Sequence, residues 1–175
     1  MGGVSVIVRE AVVDDALGIA RVHVAGWQVG YAGLLPQPYL DALSVDARAQ
    51  RWAATLREPD ARAVATLVAT ADRDVVGFVA VGRSRDDDAE KDVGELWGIY
   101  VDPQHWGTGA GHALHEGAIG ALRAVGLTAA TLWVLRGNDR AIGFYRHHGW
   151  TADGATKTDW RDDVRLDEAR YRRTL

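Results

Sequence analysis

Residues 93–114, VGELWGIYVDPQHWGTGAGHAL, constrain the fold more than any other stretch of the chain. Apolar and β-branched residues run from Val93 to Val101, a proline turn follows at Pro103, and alternate glycines stand at Gly107, Gly109 and Gly111 before a helical pattern that reaches Val125. A strand that hands over to a helix through such a loop collects several backbone N–H groups at one point. The helix dipole adds partial positive charge there. An anion such as phosphate suits the position, because a side chain at a glycine would hold it away from the amides. The same triplet also suits a tight turn packed on a sheet. Two familiar phosphate loops are excluded. Gly111 is followed by His112-Ala113 and not by Gly-Lys-Ser/Thr, so this is no Walker loop. The dinucleotide fingerprint would need glycine where His112 or Leu114 stands, and an acidic residue further on where Leu127 to Thr131 is uncharged.

The remainder of the chain predicts strands at Val4–Arg9, Val64–Thr70, Val75–Gly82, Thr128–Leu135 and Val164–Thr174, with a short one at Trp150–Asp153. Helices are expected from Asp14-Asp15 onward, from Pro36 to Glu58, over Gly107–Val125 and over Asp139–His148. One α/β domain spanning 1–175 follows, with a mixed sheet rather than strict βα alternation. The acidic run Asp86 to Asp92 reads as a solvated hairpin loop, and Ala155 to Asp163 as the loop before the last strand.

Composition removes whole classes of function. Twenty Lys and Arg against 24 Asp and Glu, with no long basic block, leave no footprint for nucleic acid or an anionic membrane. The absence of cysteine excludes a disulfide scaffold, a zinc–thiolate site and a cysteine nucleophile. No stretch resembles a signal peptide or a membrane span, so a cytoplasmic location is the default expectation.

Two motifs at characteristic spacing resemble those of the GCN5-related N-acetyltransferase (GNAT) superfamily. The first is Tyr100-Val101-Asp102-Pro103 with Gly107, Gly109 and Gly111. The second runs from Leu132-Trp133-Val134 through Asn138, Arg140-Ala141-Ile142 and Phe144-Tyr145 to Gly149-Trp150. Trp27, Tyr31, Gly33, Leu34 and Pro36, and the closing Asp167 to Tyr171, are similar to other parts of the family. The resemblance implies a mostly antiparallel sheet of six to seven strands flanked by about four helices, and acetyl-CoA as co-substrate without a metal. It places the pantetheine and thioester against Ile99, Tyr100 and Val101, and the pyrophosphate on the backbone N–H groups of Gly107, Thr108, Gly109, Ala110, Gly111 and His112, with Trp106 either covering the ligand or packing. Trp106 departs from the pattern by occupying a slot that the family fills with Gln or Arg, so no arginine is expected to assist the amides.

The same resemblance makes Tyr145 the proton donor to the leaving thiolate and Asn138 a ligand of the pantetheine arm. Asn138 equally suits a helix cap. Glu95 is the candidate general base, placed by strict alternation on the face of Ile99 and Val101, with a structural ion pair as the competing role. Trp27 and Tyr31 are candidates for the acceptor pocket or for the core. His112 and His115, one turn apart, lack a third ligand and do not argue for metal. Ser5, Ser44 and Ser84 lie outside any nucleophile elbow, so direct transfer to the acceptor is the simpler chemistry. The expected function is therefore acetyl transfer to a primary amine, with a small molecule as first choice of acceptor. The alternatives are a protein N-terminus or lysine, or an acyl-CoA sensor without catalysis. A homodimer stays open.

Overall fold

The computed structural model describes residues 6–175. Seven strands form one sheet in the order β1-β2-β3-β4-β5-β7-β6. They are β1 (Ile7–Glu10), β2 (Ala63–Ala71), β3 (Asp74–Arg83), β4 (Val93–Val101), β5 (Ala129–Leu135), β6 (Thr151–Arg161) and β7 (Val164–Thr174). Every neighbouring pair is antiparallel except β4 and β5, which run parallel and bond only over Val93–Glu95 and Ala129–Thr131. The crossover between them is α4 (Ala110–Ala124), as a parallel connection requires.

Two faces of the sheet are covered differently. Ala110, Leu114, Ala118, Ile119 and Leu122 of α4 are fully buried against Val79, Val81 and Leu96. The small residues in that stripe let the helix lie close to the strands. Tyr145 and its neighbours from α5 (Asp139–His147) join the same core. On the opposite face α1 (Ala16–Gly30) buries Ile19 and Val22 against Val68 and Phe78.

The helical stretch expected from Pro36 to Glu58 is two helices, α2 (Gln37–Asp41) and α3 (Val45–Arg57). Ser44 is extended, and its Oγ accepts the Ala47 N–H at 3.1 Å, so it caps α3 and breaks the run. Val4 and Ser5 of the first expected strand lie outside the described residues. The expected loop at Ala155–Asp163 is instead most of β6, turned into β7 by Asp162 and Asp163 in the left-handed region at φ 48° and 65°. β6 is an edge strand exposed along most of its length, so it carries no alternating apolar signal. The Asp86–Asp92 segment is more than a solvated loop. Asp86 accepts the Trp133 indole N–H at 2.9 Å, and Asp86, Asp88 and Asp153 all bind Arg170, tying the β3–β4 connection to β5, β6 and β7.

Candidate active site

The sheet divides where β4 and β5 stop pairing. Beyond Glu95 the two strands splay, and the β4 edge facing β5 is left without ladder partners. A β-bulge in β4 lies at the same point. Ala80 opposes Gly98 and Val81 opposes Leu96, so Trp97 is the extra residue. Its indole lies over Gly82, where any Cβ would come within 2.2 Å of the ring; only glycine admits that approach.

A cleft of about 470 Å³ opens in the divide, bounded by β4 from Leu96 to Val101, by the start of α4 and by α5. Gly107 and Gly109 adopt φ of 78° and 91°, a conformation that disfavours side chains, and Gly109 is the N-cap of α4. The first helical N–H with a partner is Ala113, bonded to Gly109 O at 3.0 Å. The amides before it in the helix point into the cleft region unpaired, as those of a helix start must. Gly107, Gly109, Gly111 and His112 line the cleft. Thr108 turns its hydroxyl back to His105 O at 2.7 Å, and Ala110 is buried in the core, so these two offer backbone only.

Ile99, Tyr100, Val101, Asn138 and Tyr145 also line the cleft. Asn138 caps α5 by accepting the Ala141 N–H at 3.2 Å, which leaves its amide N–H groups for other partners. Tyr145 is 7% exposed, and its hydroxyl has no partner among the described residues. Burial, with a smaller effect from Tyr100, raises its pKa above the ordinary phenol value. Trp106 donates its indole N–H to Val101 O at 2.9 Å, and the Arg140 guanidinium stacks on its ring at 3.7 Å. Both side chains line the cleft, so a cation does stand beside the glycine loop, supplied by α5.

The sequence model of the acetyltransferase (GNAT) family matches residues 27–150, from α1 through the whole of the cleft. The chain belongs to this family. An uncharacterized N-acetyltransferase, YuaI of Bacillus subtilis, is 31% identical over 143 residues, covering 81% of this chain and 78% of that one. The PaiA N-acetyltransferase of Thermoplasma acidophilum, solved in complex with coenzyme A, superposes with a TM-score of 0.74 over 98% of this chain and 99% of that one at 18% identity. The YncA structure of Salmonella typhimurium, solved with its cofactor acetyl-CoA, gives 0.71 over 98% and 94% at 20% identity. This GNAT chain is thus an acyltransferase with the family's sheet and helices.

A second cavity of this acetyltransferase, about 290 Å³, adjoins the first and shares Tyr31, Trp97, Gly98, Tyr100 and Trp133 with it. Trp27, Trp52 and Phe78 extend its aromatic wall. His23 also lines it. Burial, then the nearby charges of Arg48 and Arg161, lower the His23 pKa to about 3, so the ring is neutral. Glu168 is the carboxylate among the described lining residues, with Lys157 at 3.5 Å. Burial raises its pKa and Lys157 opposes the shift.

Glu95 sits elsewhere than alternation places it. The bulge at Trp97 reverses the phase of β4, so Glu95, opposite Gly82, lies on the α1 face and away from Ile99 and Val101. It is 3% exposed and lines neither cavity. Arg85 engages both of its oxygens, through Nη2 at 2.8 Å and the backbone N–H at 2.8 Å. Sequence reasoning missed His23, Arg48, Trp97, Glu168 and Arg161 around the second cavity, because five separate elements bring them together and no local spacing does.

Proposed function

We propose that the chain transfers an acetyl group from acetyl-CoA directly to the primary amine of a small molecule. One observation carries this reading. The unpaired β4 edge, the open amides at the start of α4 and the free hydroxyl of Tyr145 converge on one cleft, which meets an aromatic cavity at Trp97–Tyr100.

In this reading the diphosphate rests on the amides from Gly107 to His112, and Arg140, held flat by Trp106, supplies the positive charge. The pantetheine arm runs along the free edge of β4 from Val101 toward Trp97, with the Asn138 side-chain amide as a further donor. The thioester carbonyl then meets β4 backbone N–H groups at the bulge, where donors fixed in advance stabilise the developing oxyanion. The acceptor nitrogen attacks the thioester carbon, the carbonyl π pair moves onto oxygen, and the tetrahedral species collapses as the C–S bond breaks. The nitrogen loses one proton and the departing sulfur gains one.

A phenol near pKa 10 is a weaker acid than a thiol near 8.5, and burial weakens it further, so full proton transfer from Tyr145 is uphill by about 2 kcal/mol or more. Tyr145 therefore acts first as a hydrogen-bond donor to the sulfur. On the acceptor side, Glu168 is better placed than Glu95 to receive the proton from nitrogen. It lines the cavity, and its raised pKa suits a base working near neutrality. Glu95, locked to Arg85, holds the bulge.

Calorimetric titration with acetyl-CoA and desulfo-CoA, followed by a thiol-release assay over a panel of small amines and peptides, tests the reading. Binding with acceptor-dependent release by a small amine is the expected result. Release only with peptides would make a protein the substrate, and absence of binding would overturn the proposal.

A further inference from the structure

Of the charged residues that line the second cavity, two, Arg85 and Arg161, are cations and one, Glu168, is a carboxylate. Arg161 lines it from the end of β6, and its ion-pair partner among the described residues, Asp159, stands at 3.6 Å. Arg48, from α3, stands directly behind two lining residues. Its Nη1 lies 2.9 Å from His23 Nε2, and its guanidinium is 4.9 Å from the centroid of the Trp27 ring. Arg48 forms no ion pair among the described residues, and the neutral His23 ring offers it no compensating charge. Arg85 is already neutralised by Glu95, and Glu168 carries Lys157. Among the described residues the charge without an ion-pair partner is therefore that of Arg48, while Arg161 keeps a long, solvent-exposed contact with Asp159 that leaves room for a second anion; both lie on the side of the cavity not shared with the cofactor cleft.

The walls between that charge and the cleft are aromatic: Trp27, Trp52, Phe78, Trp97, Tyr100 and Trp133. At about 290 Å³ the space is at the small end for ligand sites. Within the acidic segment, Asp86 and Asp88 are already engaged by Arg170.

We propose that the acceptor is an amine that also carries a carboxylate on a compact apolar or aromatic body. Its carboxylate rests on Arg161 with the Arg48 charge behind it, and its amine reaches the Trp97–Tyr100 segment. Aromatic faces accommodate the body, and the guanidinium fork matches a carboxylate in geometry and charge. A polyamine would place its second ammonium against Arg161 and is disfavoured. The inference rests on the acyl-transfer reading above and narrows its acceptor class.

The test is steady-state acetylation of matched pairs that differ by the carboxylate: leucine and isoamylamine, phenylalanine and phenethylamine, tryptophan and tryptamine, 6-aminohexanoate and pentylamine. The carboxylate member of at least one pair should be favoured by about tenfold or more in kcat/KM, the scale of a charge-assisted hydrogen bond. Arg161→Gln, on an exposed strand end, should bring that ratio below about threefold, the carboxylate member losing more kcat/KM than the plain amine. Arg48→Met should lower the same ratio, and Arg48→Lys should restore part of it. Equal or better use of the plain amine in every pair, transfer to neither member of any pair, or an equal loss for both members in Arg161→Gln would each overturn the proposal. Calorimetry with acetyl-CoA on the same preparation separates the two levels. Binding without a carboxylate preference removes this inference alone, whereas absence of binding removes the acyl-transfer reading with it.

Discussion

The two cavities touch at Trp97–Tyr100, yet they are made of different material. The cofactor cleft is chiefly backbone: a strand edge released by splaying and helix-start amides exposed by two left-handed glycines. The proposed acceptor cavity is chiefly side chain: aromatic rings and charged groups delivered by α1, α3, β3, β4, β5, β6 and β7. Backbone geometry is set by a few glycines at fixed spacing, so single side-chain substitutions in the first cavity leave its main donors in place. Side-chain surroundings can be rewritten one residue at a time, so the second cavity is the more sensitive of the two to substitution.

That contrast can be broken at several points, and the glycine loop is the most sensitive of them. Gly109→Val removes the left-handed N-cap conformation, at a strain of about 1–2 kcal/mol, and puts a branched side chain where a Cβ would meet no protein atom within 4 Å. Acetyl-CoA should bind about 100-fold or more weakly by calorimetry, a loss of about 2.7 kcal/mol. If affinity survives, the amides are not the cradle. Tyr145→Phe should lower kcat by about one to three orders of magnitude while the Kd for acetyl-CoA stays within about threefold. A parallel loss of both would make Tyr145 a packing residue.

Each half also contains a buried neutral histidine. His115 accepts the Trp150 indole N–H at 3.0 Å behind the cleft, and burial lowers its pKa to about 4; His23 lines the proposed acceptor cavity, and burial lowers its pKa to about 3. Both folded values lie below the unfolded value near 6.5, so between pH 6.5 and 4 the unfolded chain binds more protons and stability must fall as pH falls. For His115 the loss over that window is on the order of 3 kcal/mol. His115→Gln, which keeps an acceptor for the indole, should flatten its share of the slope in denaturant titrations run at several pH values. An unchanged slope would mean that folding does not lower the His115 pKa.

Arg140→Ala should weaken acetyl-CoA binding by about tenfold, most clearly at low salt, because it removes the guanidinium stacked on Trp106 beside the glycine-loop amides. Smallest is the carboxylate pair. Glu168→Gln should reduce kcat/KM severalfold with little change in stability, and Glu95→Gln should do the reverse, lowering stability by about 1 kcal/mol given that Arg85 is half exposed. Crossed outcomes would return the base to Glu95.

The same division governs what the amino-acid order reveals. The α4 start and α5 are legible because glycine spacing, an asparagine cap and helical periodicity are local signals. Ser44 was readable as a cap too, but the apolar pattern on both sides concealed the break. The bulge at Trp97 has no local signal: β4 reads as unbroken alternation, and one extra residue moves Glu95 to the other face. β6 is polar on both sides and looks like loop. The binding of Arg170 to Asp86 and Asp88 spans more than 80 positions, and the gathering of His23, Arg48, Arg161 and Glu168 exists only after folding.

Amide hydrogen exchange with and without acetyl-CoA tests most directly whether the cofactor half is read by backbone. The account predicts new protection at Gly107–His112 and along Trp97–Val101, with the β6–β7 turn at Asp162-Asp163 unchanged until an acceptor is added. Protection confined to the acceptor cavity, or none at either backbone segment, would contradict it.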